Sequence, residues 1–125
     1  MCDTALAKEI LQQMRNAAQT IARRFATISC PEDFLRSEMG CERLDAICMQ
    51  LIALGESVKQ LDKVTRGMLL CRYPQVEWKR IMGMRDVLSH HYFDLDAEVV
   101  YTTCADHIPM LLRTIETMLT ELEEG

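Results

Sequence analysis

The chain has 125 residues, 49% of them hydrophobic and 26% charged, with a net charge of −5. That composition suits one soluble domain spanning residues 1–125 and argues against nucleic-acid binding through overall charge. No run of 18 apolar residues is present, so no membrane span is expected.

The opening stretch, MCDTALAKEILQQMRNAAQ, lacks the basic start and apolar block of a secretory signal, and a cytoplasmic protein is expected. Within it Leu6, Ile10 and Met14 begin a stripe that continues through Ala17, Ile21, Phe25 and Ile28. Steps of three or four residues predict a long first helix. Pro31 stops it, because proline disfavours helical geometry at the preceding residue. Ser29 is expected to cap a short turn carrying Glu32 and Asp33. A second helix is predicted over about 41–61 from Leu44, Ile47, Leu51, Leu54, Val58 and Leu61. Gly55 interrupts it at a cost of ~1 kcal/mol relative to alanine, and a glycine there lets a backbone or ligand come close. A shorter helix is predicted over about 62–71, ended by Tyr73-Pro74.

Trp78 opens the next helix, with Ile81, Met82 and Leu88 inward. Asp96 is placed to cap a last helix over about 97–123. There Val100, Cys104, Ile108, Leu111, Ile115, Met118 and Leu122 form the inner face, and Pro109 should kink it. With few glycines and prolines and short connections, the pattern predicts an all-α antiparallel bundle of four main helices plus short ones. The cysteines at 2, 30, 41, 48, 71 and 104 form no CxxC pair, so buried free thiols in a reducing compartment are expected.

Charge is uneven along the chain. Residues 59–85 hold seven basic residues (Lys59, Lys63, Arg66, Arg72, Lys79, Arg80, Arg85) against two acidic ones, whereas residues 86–125 hold nine acids against Arg113. The basic stretch leads into MRDVLSHHYFDLD, residues 84–96, which contains two of the three histidines. A local positive surface attracts phosphates whatever the overall charge. On a regular helix Ser89 and Tyr92 return to the face of Arg85, while His90 lies about 140° round. His90 follows Asp86 by four residues, so a carboxylate can meet the imidazole, fix its tautomer and raise its basicity. For Arg85 and His90 to converge, the helix unwinds near His90, or the arginine reaches round, or a second subunit completes the site.

These residue types suit RNA phosphodiester cleavage without a metal. Histidine can take or give the proton, and arginine offers fixed charge and a donor fork to phosphate oxygens. A metal site from His90, His91, Asp94 and Asp96 is open by ligand type but matches no familiar metal spacing. Polar residues closing a helix C-terminus are the plain alternative for the whole motif. His107 is expected to be a surface or satisfied core histidine.

Arg85, His90 and Tyr92 reproduce the R-x4-H-x-Y signature of HEPN-domain ribonucleases. The surrounding PQVEWKRIMGMRDVLSHHYFDLD, with CPEDFLRSE and LIALGESVKQL upstream, resembles the HepT toxin family. Two positions depart from it: His91 stands where glycine or aspartate is common, and Asp94 where glycine is common. His91 leaves open which adjacent histidine moves the proton. The resemblance implies a homodimeric HEPN bundle with an active cleft at the dimer interface, and metal-independent endoribonuclease activity from Arg85 and His90. It also implies a toxin of a type VII system, needing no cofactor of its own. Its partner would be a nucleotidyltransferase antitoxin of the MNT type, which adenylylates Tyr92 to O-AMP-tyrosine. The alternative within the same family is a catalytically silent module that binds RNA or nucleotide, or one that acts through protein interaction.

Overall fold

The computed structural model describes residues 3–90 and 97–124, without the side chains of Ser89 and His90. Its elements are helices α1 (Thr4–Phe25), α2 (Glu38–Val64), α3 (Trp78–Met82), α4 (Met84–His90), α5 (Ala97–Thr102) and α6 (Ile108–Glu124). Short 3-10 turns at Pro31–Phe34 and Leu70–Arg72 and a π turn at Thr103–His107 complete the order. The described residues contain no strand, and the all-α expectation holds.

α1 starts where Asp3 accepts a hydrogen bond from the Leu6 N–H at 3.1 Å. α2 starts where the Ser37 hydroxyl accepts one from the Gly40 N–H at 2.9 Å. Each cap satisfies an N–H that has no partner inside its helix. The apolar stripe read from the sequence is the face α2 buries, with Leu44, Ile47, Leu51, Leu54, Val58 and Leu61 all inside. α1 lies against both α2 and α6, and its Ile10, Leu11, Met14, Ala18 and Ile21 are fully buried between them. On the last segment, Val100, Cys104, Ile108, Leu111, Ile115 and Met118 are buried as expected, and Leu122 is partly so.

Three expectations change, and a fourth, the disturbance at Pro109, takes a local form. Ser29 does not cap the turn at 31–34; its N–H instead donates to Asp33 at 2.8 Å, and that bond is the main reason the Asp33 carboxyl sits below its usual pKa. No helix spans 62–71. α2 runs on to Val64 and ends in a Schellman arrangement, with Arg66 at φ 55° and Gly67 at φ 72°. There the Gly67 N–H reaches the Asp62 carbonyl at 2.9 Å and the Arg66 N–H reaches Lys63 at 3.1 Å. The helix opened by Trp78 is split at Gly83 into α3 and α4. Finally, Pro109 is accommodated by a π turn just ahead of it: the Ile108 N–H bonds the Thr103 carbonyl, five residues back. Widening the turn relieves the ring's clash with the preceding carbonyls and absorbs its missing donor.

Side chains lock the periphery. The Tyr101 hydroxyl donates to the Ser29 carbonyl at 2.9 Å, and its ring stands 5.1 Å from that of Phe25. The Trp78 indole donates to the Tyr73 carbonyl at 3.0 Å. The Tyr73 hydroxyl donates to Glu121 on α6; burial first, and this carboxylate second, push its pKa up to about 12. His107 has a partner in Glu77, 3.3 Å away. Of the described cysteines, Cys48 and Cys104 are buried thiols as expected, with burial raising Cys48 to about 11, while Cys41 and Cys71 are exposed.

Candidate active site

α3 and α4 form one short edge packed on α2. Their apolar positions continue in register across the break: Trp78, Ile81, Met84 and Leu88 are all buried. Met84 replaces the expected Met82, which is only partly buried, because Met84, three residues after Ile81 and four before Leu88, is the one that falls on the inward stripe. With that stripe turned inward, Arg85, Asp86 and Val87 are exposed.

Gly55 makes this docking possible. A Cβ built there would lie 2.5 Å from the Ile81 carbonyl oxygen, inside any tolerable contact. The backbone of α3 thus presses directly on the middle of α2, as the interrupting glycine suggested. The next residue on α2 receives the motif arginine. Arg85 Nη1 donates to Glu56 Oε1 at 2.7 Å, a short charge-assisted bond across two helices. The other carboxylate oxygen, Oε2, lies 3.7 Å from Lys59 Nζ, one helical turn on. The Arg85 bond first, with help from Lys59, holds the Glu56 carboxyl below its usual pKa. Glu56 is therefore a carboxylate at neutral pH and a weak base.

Among the expected site residues, Arg85 and Asp86 occupy the first turn of α4, and His90 is its last residue. The Asp86–His90 pairing lies outside what is described, since the His90 side chain is not. His91, Tyr92, Phe93, Asp94 and Asp96 also lie outside the described residues, and with them the alternative metal set and the Asp96 cap. The backbone is helical through His90, which removes unwinding ahead of that residue as the way to join it to Arg85. The Arg85 guanidinium is directed to α2 rather than round α4.

Several residues of the basic stretch have partners on different elements. Arg72 lies 3.4 Å from Glu121 on α6, and Arg80 donates to Thr103 at 3.3 Å. Lys59 and Arg85 meet at Glu56. Glu56 and Lys59 were not singled out as site residues from the sequence. The signal was present in the glycine–glutamate step on the polar edge of α2, but only the packing tells which helix it faces.

The sequence profile of the family described as "Ribonuclease HepT-like" matches residues 14–118. The "Probable ribonuclease HepT" of Thermococcus cleftensis is 28% identical over 113 residues, 89% of this chain and 94% of that protein. The "Putative RNase TTE0752" of Caldanaerobacter subterraneus is 33% identical over 88 residues, 70% of this chain and 72% of that protein. The "Putative RNase MJ0125" of Methanocaldococcus jannaschii is 36% identical over 77 residues, and the chain spans 61% of that relative's length. No solved structure matches. The profile covers both the long-helix scaffold and the α3–α4 edge, and on that ground the chain belongs to the HepT-like ribonuclease family.

Proposed function

We propose that this protein is a metal-independent endoribonuclease, the toxin of a type VII toxin–antitoxin pair, acting in the cytoplasm as a homodimer of single HEPN domains. The observation that carries the reading is the exposed Arg85 on α4, held by Glu56 of α2 beside the glycine seat of α3, within a HepT-like chain. Arg85 binds the scissile phosphate and stabilises the charge that develops on it. His90 moves the proton, and Asp86 orients His90. The 2′-hydroxyl of the RNA loses its proton and attacks phosphorus. The 5′-oxygen leaves with a proton, giving a 2′,3′-cyclic phosphate and a 5′-hydroxyl.

A helix wound through His90, with Arg85 directed to α2, favours completion of the site by a second chain over convergence within one. Light scattering at micromolar concentration should give about twice the 14.4 kDa chain mass; a clean monomer would remove the shared cleft. Regulation follows from Tyr92, the acceptor for adenylate from an MNT-type nucleotidyltransferase partner. On a regular helix Tyr92 would return to the face of Arg85, and AMP there would bring a phosphate to that arginine and compete for the charge that holds RNA. Mass spectrometry after co-expression should find adenylate on a Tyr92 peptide and none in Tyr92→Phe. An unmodified Tyr92 in a neutralised complex would mean inhibition by occlusion.

A further inference from the structure

We propose that Glu56 is a positioning residue that fixes the Arg85 guanidinium for phosphate, with Lys59 as a companion cation that adds RNA affinity but not turnover. The inference rests on the ribonuclease reading above and deepens it. An exposed carboxylate is a costly neighbour for a phosphate site, since it repels the substrate. As a source of stability the pair has little to offer: the Arg85 and Glu56 side chains are 61% and 37% exposed, and such pairs add little to folding. What the contact does supply is orientation. Arginine has a long side chain with about four rotatable bonds and large rotamer entropy. Anchoring one nitrogen at 2.7 Å removes much of that freedom before the substrate arrives. The remaining donors of the fork stay available to a phosphate oxygen.

Glu56 also sits next to a close backbone approach on α2. Gly55, immediately before it, is clamped against the Ile81 carbonyl, so the anchor sits beside the backbone contact that docks α3, the helix just ahead of the one carrying Arg85. Glu56 Oε2 is turned to Lys59, three residues on and on the same face of α2. The three groups together carry one net positive charge. A phosphate approaching Arg85 therefore still meets attraction, and Lys59 is placed to hold a neighbouring phosphate of the same strand.

The test is a kinetic cycle in EDTA on a single-stranded RNA substrate, using wild type, Glu56→Gln, Arg85→Ala and the double variant. Glu56→Gln should lower kcat about 10–100-fold, the scale of a lost orienting contact, while KM stays level or falls because a repelling charge is gone. In the Arg85→Ala background Glu56→Gln should cost nothing more, since its effect passes through that arginine. Lys59→Gln should leave kcat alone, raise KM and flatten the salt dependence of binding by about 0.7, one single-strand phosphate contact. Melting temperatures should be unchanged throughout. A Glu56→Gln enzyme with wild-type kcat, or a loss that adds fully to that of Arg85→Ala, would overturn the positioning role. Loss of turnover on Lys59→Gln would overturn the division of labour. A wild-type chain without cleavage would instead remove the ribonuclease reading itself.

Discussion

The long helices α1, α2 and α6 and the short edge α3–α4 are built on opposite principles. In the first group, apolar side chains such as Leu11, Ile47 and Leu111 show no exposed surface at all. Charges there sit at the rim, as in Arg15–Glu116 at 3.4 Å. The edge has helices of five and seven residues, far too short to persist alone in water. It exists because four apolar side chains and a glycine seat dock it on α2. Its outer face is then available for Arg85 and Asp86. The contrast teaches that stability resides in the long helices and the proposed chemistry on the edge, joined at Gly55 and Glu56.

Substitutions should separate the two regions, and the largest structural effect belongs to the long helices. Ile47→Ala should cost about 2–5 kcal/mol in urea denaturation, the usual cost of truncating a fully buried aliphatic side chain. Surviving folded protein should still cleave RNA at close to the wild-type kcat. Gly55→Ala strikes the joint. Its added methyl meets the backbone oxygen of Ile81 at 2.5 Å, and overpacking of this kind costs about 1–3 kcal/mol, more than the ~1 kcal/mol gained in helix propensity. Because α3 must move to make room, this variant should lose activity as well as stability; loss of only one would show that the seat does not couple the regions. The smallest effect is a gain. Arg66 holds φ 55° at the end of α2, a conformation that strains a side-chain-bearing residue. Arg66→Gly should stabilise by about 0.5–1 kcal/mol by urea denaturation without changing turnover. A loss of stability there would mean that the arginine side chain contributes a contact worth more than the strain.

The long helices were legible from periodicity because burial of one face is written at every third or fourth position, as on α2 from Leu44 to Leu61. Gly55 was legible as a close approach, and Pro109 as a disturbance, though the π turn that absorbs it was not. The split at Gly83 escaped because the apolar register of Ile81, Met84 and Leu88 runs through it without a gap. The end of α2 escaped because Arg66 adopts a conformation normally left to glycine. At the site, the motif could be read from residue types, but Glu56 could not, since its partner is 29 residues away on another helix. The same holds for Glu77 with His107 and Glu121 with Tyr73. Long-range polar pairing has no period and is decided only when the helices have packed.

Metal-free RNA cleavage by His90 is decided by one experiment: total RNA incubated with purified protein in EDTA, wild type beside His90→Ala, with products analysed for their termini. Wild type should cut and leave 2′,3′-cyclic phosphate ends. His90→Ala should cut about 10²–10⁴-fold more slowly, the usual loss when a general acid or base is removed, with its melting temperature unchanged. Cleavage that stops in EDTA and returns with a divalent ion, or a His90→Ala protein as active as wild type, would contradict it.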